Sequence, residues 1–298
     1  MSAPGHRLGL LYAVLGAVGF SFKAILIKLA YPYGVDAVTL LALRMAMALP
    51  FFILLGWQDA RTQTRPPLSL RDYGWMLGLG FSGYYMASYL DFAGLQYISA
   101  GLERLILFAY PTLVVVFSAL FLKKPITGRA LVSIALCYSG IGLAVAHDFE
   151  VAGDMQSIII GGLLVFGSAV SYALYLMGNG QAVVRLGAAR VTAWASGAAC
   201  LFCLIQFALT RPLASLAQPT PVLLLGAAMA IFSTVLPVWM VSEAMRRLGA
   251  ARVSLIGTLG PVITLFLGWL ILAEPLGIYQ LAGGALVLAG VMWVGKKG

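Results

Sequence analysis

The chain has 298 residues, of which 61% are apolar and only 10% charged, and its formal net charge is +9. Soluble domains carry about 25% charged residues, so this chain has too little polar surface to cover a water-soluble core. Apolar runs of about 20 residues, enough to cross a hydrocarbon layer about 30 Å thick, recur along the whole length. The composition therefore predicts an all-α, polytopic membrane protein and excludes an ordinary soluble domain.

The apolar runs predict ten membrane-spanning helices, separated by prolines, glycines and charged residues. In the first half of the chain they cover residues 8–30, 35–57, 72–92, 98–122 and 127–146. In the second half they cover residues 158–180, 188–210, 220–243, 250–272 and 277–295. We number them spans 1 to 10. Span 1 follows a basic residue, as a signal peptide does, but its apolar run is too long for one, so we expect the span to be retained.

The lysines and arginines outside the spans fall in alternate loops. If the N-terminus is cytoplasmic, the outer loops contain only Arg211, and the other loop and terminal lysines and arginines lie on the inner side. The longest outer loop, HDFEVAGDMQS, carries acidic residues instead. Membrane proteins concentrate positive charge on the cytoplasmic side, so both termini are predicted to be cytoplasmic. The net positive charge is thereby explained by topology and indicates no nucleic-acid partner.

Motifs of several other functional classes are absent from the sequence. It contains no Walker A motif, so ATP-driven transport by this chain is not expected. It contains no HExxH or GxSxG motif, and its two histidines, His6 and His147, lie outside the predicted spans. We therefore expect no enzyme activity, no cofactor and no metal. All the cysteines lie in apolar runs, where packing is expected rather than a disulfide framework; they are Cys137, Cys200 and Cys203.

The chain contains an internal repeat. Residues 94–145 align with residues 244–295 without a gap, and the aligned identities include Leu105/Leu255, Pro111/Pro261, Pro125/Pro275 and Gly140/Gly290. Each half, 1–146 and 147–298, holds five predicted spans, so the second half must enter the membrane from the opposite side. Inverted repeats are typical of transporters that bind substrate between the repeats and work by alternating access. Some channels share this design, but the chain has no obvious filter, which favours a carrier.

Three features of the sequence resemble a known family. They are Arg44 in span 2, LQYISAGLERLILFAYPTLVVVFSALFLKKP (95–125) and RRLGAARVSLIGTLGPVITLFLGWLILAEP (246–275). Each half resembles an EamA domain of the drug/metabolite transporter superfamily, and the whole pattern is most similar to the YddG-type amino-acid exporters. The resemblance implies a ten-helix basket in a bacterial inner membrane, with a cavity lined mainly by spans 1, 3, 4, 6, 8 and 9. The chain departs from the family at Lys124, where the family often has the glutamate that stands here as Glu274.

Four charged residues are predicted to lie at a similar depth in the outer third of the membrane: Lys23, Asp91, Glu103 and Arg104. Charges at such depths are costly and usually face a partner or a cavity. The spacing allows Asp91 to pair with Arg104, or Lys23 with Glu103. The four residues therefore form either a structural set of salt bridges or a polar vestibule suited to a zwitterion, and the sequence leaves both interpretations open.

Polar and aromatic residues follow single helical faces on the predicted cavity helices. The stripes are Tyr84, Ser88 and Asp91 on span 3; Ser168, Ser171, Tyr172, Tyr175 and Asn179 on span 6; Phe232, Leu236, Trp239 and Glu243 on span 8; and Ser254, Thr258 and Pro261 on span 9. Such linings bind small organic solutes by stacking and hydrogen bonding, although each aromatic ring could equally pack against a neighbouring helix. Tyr12, near a span end, is assigned instead to the interfacial aromatic belt.

Two prolines and two glycines suggest where helices bend or meet. Pro111 and Pro261 lie near the middle of spans 4 and 9 at equivalent repeat positions, and each is predicted to kink its helix. They are candidate hinges, or else fixed kinks that shape the cavity. Gly74 and Gly78 form a GxxxG motif, a weak sign of close helix contact in a glycine-rich chain.

These observations predict a secondary transporter that exports small metabolites, most of all amino acids including aromatic ones. Energy coupling by protons, by exchange or by facilitated diffusion stays open. Two other substrate classes also stay open: organic cations, which would need an acid free to meet the cation, and phosphorylated or nucleotide-linked metabolites, which would need several unpaired basic residues. The expected partners are the small-molecule substrate and the lipid bilayer, and a monomer is expected.

Overall fold

The computed structural model of the protein describes residues 3–62, 67–123 and 125–295. Within these ranges the regular structure is helical. The α-helices are α1 (Ala3–Ala30), α2 (Ala37–Thr62), α3 (Leu70–Leu79), α4 (Ala87–Gly94), α5 (Ala100–Leu107), α6 (Tyr110–Leu122), α7 (Gly128–Ala152), α8 (Met155–Leu186), α9 (Ala188–Thr210), α10 (Thr220–Ala230), α11 (Leu236–Leu248), α12 (Ala250–Gly257), α13 (Gly260–Leu272) and α14 (Ile278–Gly295). Short 3-10 helices occur at Tyr31–Tyr33 and Leu213–Leu216, and π-helical segments occur at Gly80–Met86 and Ile231–Val235.

The helices suit a membrane. Seven stretches in the described part of the chain are long and apolar enough to cross a bilayer: α1, α2, α5 with α6, α7, α8, α9, and α10 with α11. The apolar helices α13 and α14 are shorter. The segment from α3 to α4 is helical throughout, but its middle part, Gly80–Met86, is π-helical instead of α-helical. The chain is therefore an all-helical, multi-pass integral membrane protein.

Helices α7 and α8 extend beyond the predicted spans 5 and 6. The predicted loop HDFEVAGDMQS is mostly helical, because α7 continues to Ala152. Gly153 ends α7 in the left-handed conformation, with φ of 69°. Asp154 then caps α8 by accepting hydrogen bonds from the backbone N–H groups of Gln156 and Ser157, at 3.1 and 3.3 Å. A two-residue connection thus replaces the expected loop, and His147 lies within a helix rather than outside one.

The two prolines break their helices instead of kinking them. Helix α5 ends at Leu107 and α6 starts at Tyr110, and α12 and α13 are likewise separated by two residues. A tight turn closes each break, with the Ala109 N–H donating to the Ile106 carbonyl and the Leu259 N–H donating to the Ile256 carbonyl, both at 3.0 Å. Each proline stands in the first turn of the second helix, where its missing N–H has no partner to lose. The breaks lie 150 residues apart, as the sequence repeat does.

The π-helical segments were not predicted from the sequence. They lie at Gly80–Met86 in predicted span 3 and at Ile231–Val235 in predicted span 8, which are equivalent positions in the repeat. Segments of this kind are rare and are often found at functional sites. Their hydrogen bonds join residues five apart instead of four, so the side chains that follow are rotated relative to a continuous α-helical pattern.

Helices α7 and α14 approach each other closely. A Cβ added to Gly140 would lie 2.5 Å from the Gly283 carbonyl oxygen, and a Cβ added to Gly283 would lie 2.5 Å from that of Gly140. Ser133 strengthens the contact by donating to the Gly290 carbonyl at 2.6 Å. The predicted GxxxG contact is wrong, because a Cβ on Gly74 or Gly78 would meet no atom within 4 Å.

Candidate functional site

A lysine lies between two buried acids at the centre of the site. Lys23 Nζ of α1 is 2.6 Å from Asp91 Oδ2 of α4 and 3.5 Å from Glu103 Oε1 of α5. Asp91 is 1% exposed and Glu103 is 0% exposed. Glu103 belongs to the first turn of α5, where the helix dipole favours a negative charge. We call Lys23, Asp91 and Glu103 the acid–lysine triad; it includes the Lys23–Glu103 pairing that the sequence allowed.

Arg104 follows the triad but has a different environment. Within the described chain it forms no ion pair with either acid, so the alternative pairing with Asp91 is absent there. Its guanidinium lies 5.4 Å from the centre of the Phe108 ring, and its buried Nε has no hydrogen-bond partner. A Cβ added to Gly260 would lie 2.9 Å from Arg104 Nη2 and 3.5 Å from Phe108 Cζ. Arg104 therefore lies between the two helix breaks and keeps donor capacity that suits a carboxylate.

A row of aromatic rings begins beside Arg104. The ring centroids of successive neighbours are 5.9 Å apart for Phe108 and Tyr110, 5.1 Å for Tyr110 and Tyr172, 5.6 Å for Tyr172 and Tyr175, and 5.1 Å for Tyr175 and Tyr84. The hydroxyl oxygens of Tyr84 and Tyr175 are 3.1 Å apart, within hydrogen-bond distance. We call these five residues the aromatic row. Phe108 and Tyr110 were not singled out from the sequence, although they immediately precede the mid-span Pro111.

The predicted stripe on span 3 is divided by the π-helical segment. Tyr84 contacts Tyr175 on α8, whereas Asp91 contacts Lys23 on α1. Ser88, one turn before Asp91, is partly buried. Tyr84 thus lies in the π-helical segment, whereas Ser88 and Asp91 lie in α4, so the three residues do not belong to one continuous α-helix as the stripe assumed.

The serines of span 6 fasten α8 to this segment. Ser168 Oγ donates to the Ala87 carbonyl at 2.7 Å, and Ser171 Oγ donates to the Ser82 carbonyl at 2.8 Å. Carbonyls near a π-helical segment need such partners, because unpaired backbone groups are expensive inside a membrane. These two serines therefore hold the aromatic row in place.

Three predicted cavity residues of the second half lie elsewhere or are only partly described. Trp239 is 53% exposed and packs edge-to-face on Tyr12, with ring centroids 5.4 Å apart, so it belongs to a cluster between α1 and α11 and not to the aromatic row. Thr258 is partly buried in the turn between α12 and α13, beside Gly260. Ser254 belongs to α12, and its side chain lies outside the described residues.

Arg44, singled out only through the family resemblance, is almost fully buried. Its Nε donates to Thr234 Oγ1 in the second π-helical segment at 2.9 Å, and its guanidinium lies 5.4 Å from the centre of the Phe92 ring. Its buried Nη1 has no hydrogen-bond partner. An arginine in the middle of an apolar span is the signal that marks this position in the sequence.

A polar cluster closes the predicted outer end of the site. Glu274, between α13 and α14, accepts hydrogen bonds from the backbone N–H groups of Ala100 and Gly101, at 2.9 and 3.4 Å. Asp148 accepts from the backbone N–H and hydroxyl of Ser99, at 3.1 and 3.0 Å. Lys28 Nζ donates to the Ile98 carbonyl at 3.0 Å. We call Lys28, Ser99, Asp148 and Glu274 the outer polar cluster.

The outer polar cluster borders a cavity of about 220 Å³ whose lining also includes His147 and Gln280. Burial raises the pKa of the Glu274 carboxyl, although its backbone donors and Lys28 oppose the shift. In the sequence, Glu274 stood out only as the glutamate typical of the resembling family, and Asp148 lay in a predicted outer loop. Their convergence on the first turn of α5 comes from the tertiary structure.

Comparison with known proteins assigns the family. A model of the EamA-like transporter family matches residues 7–146 and again residues 159–296. The chain belongs to this family. The resemblance to an EamA transporter inferred from the sequence is thereby confirmed, and the EamA protein described here is a membrane transporter.

Its relatives carry the same general description. An uncharacterized transporter of Bacillus subtilis, YcbK, is 32% identical over 284 residues, which cover 92% of this chain and 88% of that protein. An uncharacterized transporter of Archaeoglobus fulgidus is 25% identical over 281 residues, covering 94% of this chain and 95% of that protein. A solved structure titled only as the crystal structure of a protein shares the fold with a TM-score of 0.64 at 18% identity, covering 99% of this chain and 96% of that one.

Proposed function

We propose that this EamA protein is a secondary transporter that exports amino acids, including aromatic ones, from the cytoplasm by alternating access. The observation that carries the proposal is Arg104, a partly buried guanidinium with an unpartnered Nε at the meeting point of two helix breaks and at the end of the aromatic row. Guanidinium groups bind carboxylates with two parallel hydrogen bonds, and aromatic faces bind apolar or aromatic side chains.

The charges support a zwitterionic substrate. The triad has two carboxylates and one ammonium, so one carboxylate is not compensated by Lys23. Arg104 supplies an uncompensated positive charge beside it. A free amino acid carries one charge of each sign in the complementary arrangement. An organic cation would leave Arg104 without a role, and a phosphorylated metabolite would have to approach two buried carboxylates.

The proposal includes ten membrane spans arranged as two inverted repeats, 1–146 and 147–298, in a bacterial inner membrane with both termini in the cytoplasm. It is supported by the paired helix breaks and the paired π-helical segments. Cysteines introduced at Glu150 and Gln181, both exposed, test the orientation. A membrane-impermeant thiol reagent is expected to label position 150 in intact cells and position 181 only after permeabilisation. The reverse pattern would refute the orientation.

Transport is tested with purified protein in liposomes. We expect counterflow of radiolabelled L-phenylalanine, and none of an organic dication or of a nucleotide sugar. Active protein that moves the dication and no amino acid would refute the substrate assignment. Phenylalanine should leave the assay chemically unchanged, since the protein is proposed to be a carrier and not an enzyme.

Variants of Arg104 test whether its guanidinium binds the substrate. Loss of a charged hydrogen bond costs about 1.5–3 kcal/mol. Arg104→Gln should therefore raise the half-saturation concentration for phenylalanine roughly ten- to hundredfold. Arg104→Lys keeps the charge and loses the forked geometry, so a smaller loss is expected. Arg129→Gln, at an exposed arginine near the start of α7, is the matched control and should match the wild type. Equal affinities of Arg104→Gln and the control would exclude Arg104 from the site.

A further inference from the structure

The acid–lysine triad holds two acids and one lysine, and Arg104, the neighbouring positive charge, forms no ion pair with either acid in the described part of the chain. Asp91 and Glu103 are both buried, and Lys23 is their only ion-pair partner among the described residues. None of the four carboxylate oxygens accepts a well-directed hydrogen bond there. A second buried carboxylate without a counter-ion costs several kcal/mol. Two ionised carboxylates are therefore not the resting arrangement of this site.

The two carboxyl groups also lie close to each other, because Lys23 Nζ is 2.6 Å from Asp91 Oδ2 and 3.5 Å from Glu103 Oε1. An ionised carboxylate only accepts hydrogen bonds, so two ionised groups cannot bond to one another. A single proton between them removes the repulsion and supplies the missing donor, as in other carboxylate pairs that share one site. With that proton, the triad is neutral: one ammonium, one carboxylate and one carboxylic acid.

We infer that Asp91 and Glu103 together hold one exchangeable proton and that the ammonium group of the substrate displaces it. This inference rests on the proposed function. The displaced proton passes to the solution on the side from which the substrate enters, Lys23 keeps its own proton, and the substrate's ammonium group takes the place of the lost positive charge beside the two carboxylates. Because proton and ammonium compete for one carboxylate, each substrate that crosses the membrane is exchanged for a proton moving the other way.

The charged neighbours leave this role to the pair. Arg44 of α2 is bonded to Thr234, and Arg104 lies against Gly260. Lys28 of α1 is bonded to the Ile98 carbonyl in the outer polar cluster. The remaining titratable groups that face the pair or its helices are Glu274, which accepts from the Ala100 and Gly101 N–H groups at the start of α5, and the following side chains. Tyr31 donates to the Phe92 carbonyl, Tyr172 and Tyr175 belong to α8, and His147 and Asp148 of α7 contact Pro275 and Ser99. Helices α13 and α14, which pack on α5, carry no charged side chain.

The first test detects the proton without substrate. Infrared difference spectra of purified protein at neutral pH, wild type minus Glu103→Gln and wild type minus Asp91→Asn, should each show the carbonyl stretch of a protonated carboxyl group. Each variant alone should remove the protonated carboxyl group, because the one remaining acid pairs with Lys23 and ionises. Glu150→Gln, at an exposed acid, is the control and should give no such band. Absence of the band from both triad difference spectra would overturn the inference.

The second test measures coupling with L-phenylalanine as the probe. In weakly buffered detergent solution with a pH-sensitive dye, the wild type should release about one proton per phenylalanine bound, and its affinity should weaken about tenfold per pH unit on the acid side. Calorimetry reports binding independently. Binding without proton release would refute the coupling. No binding, with the infrared band present, would refute the amino-acid assignment and leave the protonated pair established.

Discussion

Substituting Gly83 tests whether the π-helical segment and the aromatic row touch as the structure shows. A Cβ added at this position would lie 2.2 Å from Tyr175 Cγ, 2.3 Å from Cδ2 and 2.8 Å from Cβ. These atoms belong to the base of the side chain and cannot swing away freely. Tyr175 is also held between Tyr84 and Tyr172. Gly83→Ala must therefore displace either α8 or the whole aromatic row.

The expected cost follows from these distances. Overpacking of this kind destabilises by about 1–3 kcal/mol. Replacing glycine in a helix recovers about 0.5–1 kcal/mol of backbone entropy, which offsets only part of that cost. Gly78→Ala is the matched control in the preceding helix, because an added Cβ there meets no atom within 4 Å and only the entropic gain remains.

Thermal melting of the purified variants and phenylalanine counterflow measure the effect. We expect Gly83→Ala to melt several degrees below the wild type and to lose affinity for phenylalanine, while Gly78→Ala melts at or slightly above the wild-type temperature with normal transport. If the two alanine variants behaved alike, the close approach of Gly83 to Tyr175 and the reasoning built on it would be refuted.

Three further predictions concern the outer polar cluster, the helix breaks and the aromatic row. Burial raises the pKa of Glu274 in this structure. A conformation that exposed Glu274 to water would bind its proton less tightly, so acidification favours the buried arrangement and a rise in pH favours exposure. Labelling of an Ile98→Cys protein by an external thiol reagent should therefore speed up with external pH more steeply than labelling of a Glu150→Cys protein, whose exposed thiol follows thiolate formation alone. Adding Glu274→Gln to the Ile98→Cys protein should abolish this excess. Pro111→Ala and Pro261→Ala should each slow transport while leaving the melting temperature nearly unchanged; normal transport would exclude a hinge at that break. Tyr172→Phe should transport phenylalanine normally, whereas Tyr172→Leu should lose phenylalanine more than alanine in a competition assay; equal loss of both would argue against stacking on this ring.

The local features of this protein could be predicted from the sequence because hydropathy and backbone chemistry act over short distances. The apolar runs located the helices, and the equivalent prolines Pro111 and Pro261 located the two interruptions. Apolar surroundings also marked Lys23, Asp91, Glu103 and Arg104 as residues that need partners. The family followed from the same stretches. Each of these inferences depends on residues close together in the chain.

The partners of those residues were decided only by the tertiary structure. One residue corresponds to about 100° of rotation around a helix, and the π-helical segment that holds Tyr84, which contacts Tyr175, was not predicted from the sequence. Helix rotation placed Lys23 between both acids and turned Arg104 towards Gly260. Glu274 reached the first turn of α5, 174 residues away in the chain. Such contacts depend on how helices are rotated and packed against each other, and apolar spans of nearly uniform composition carry little information about either.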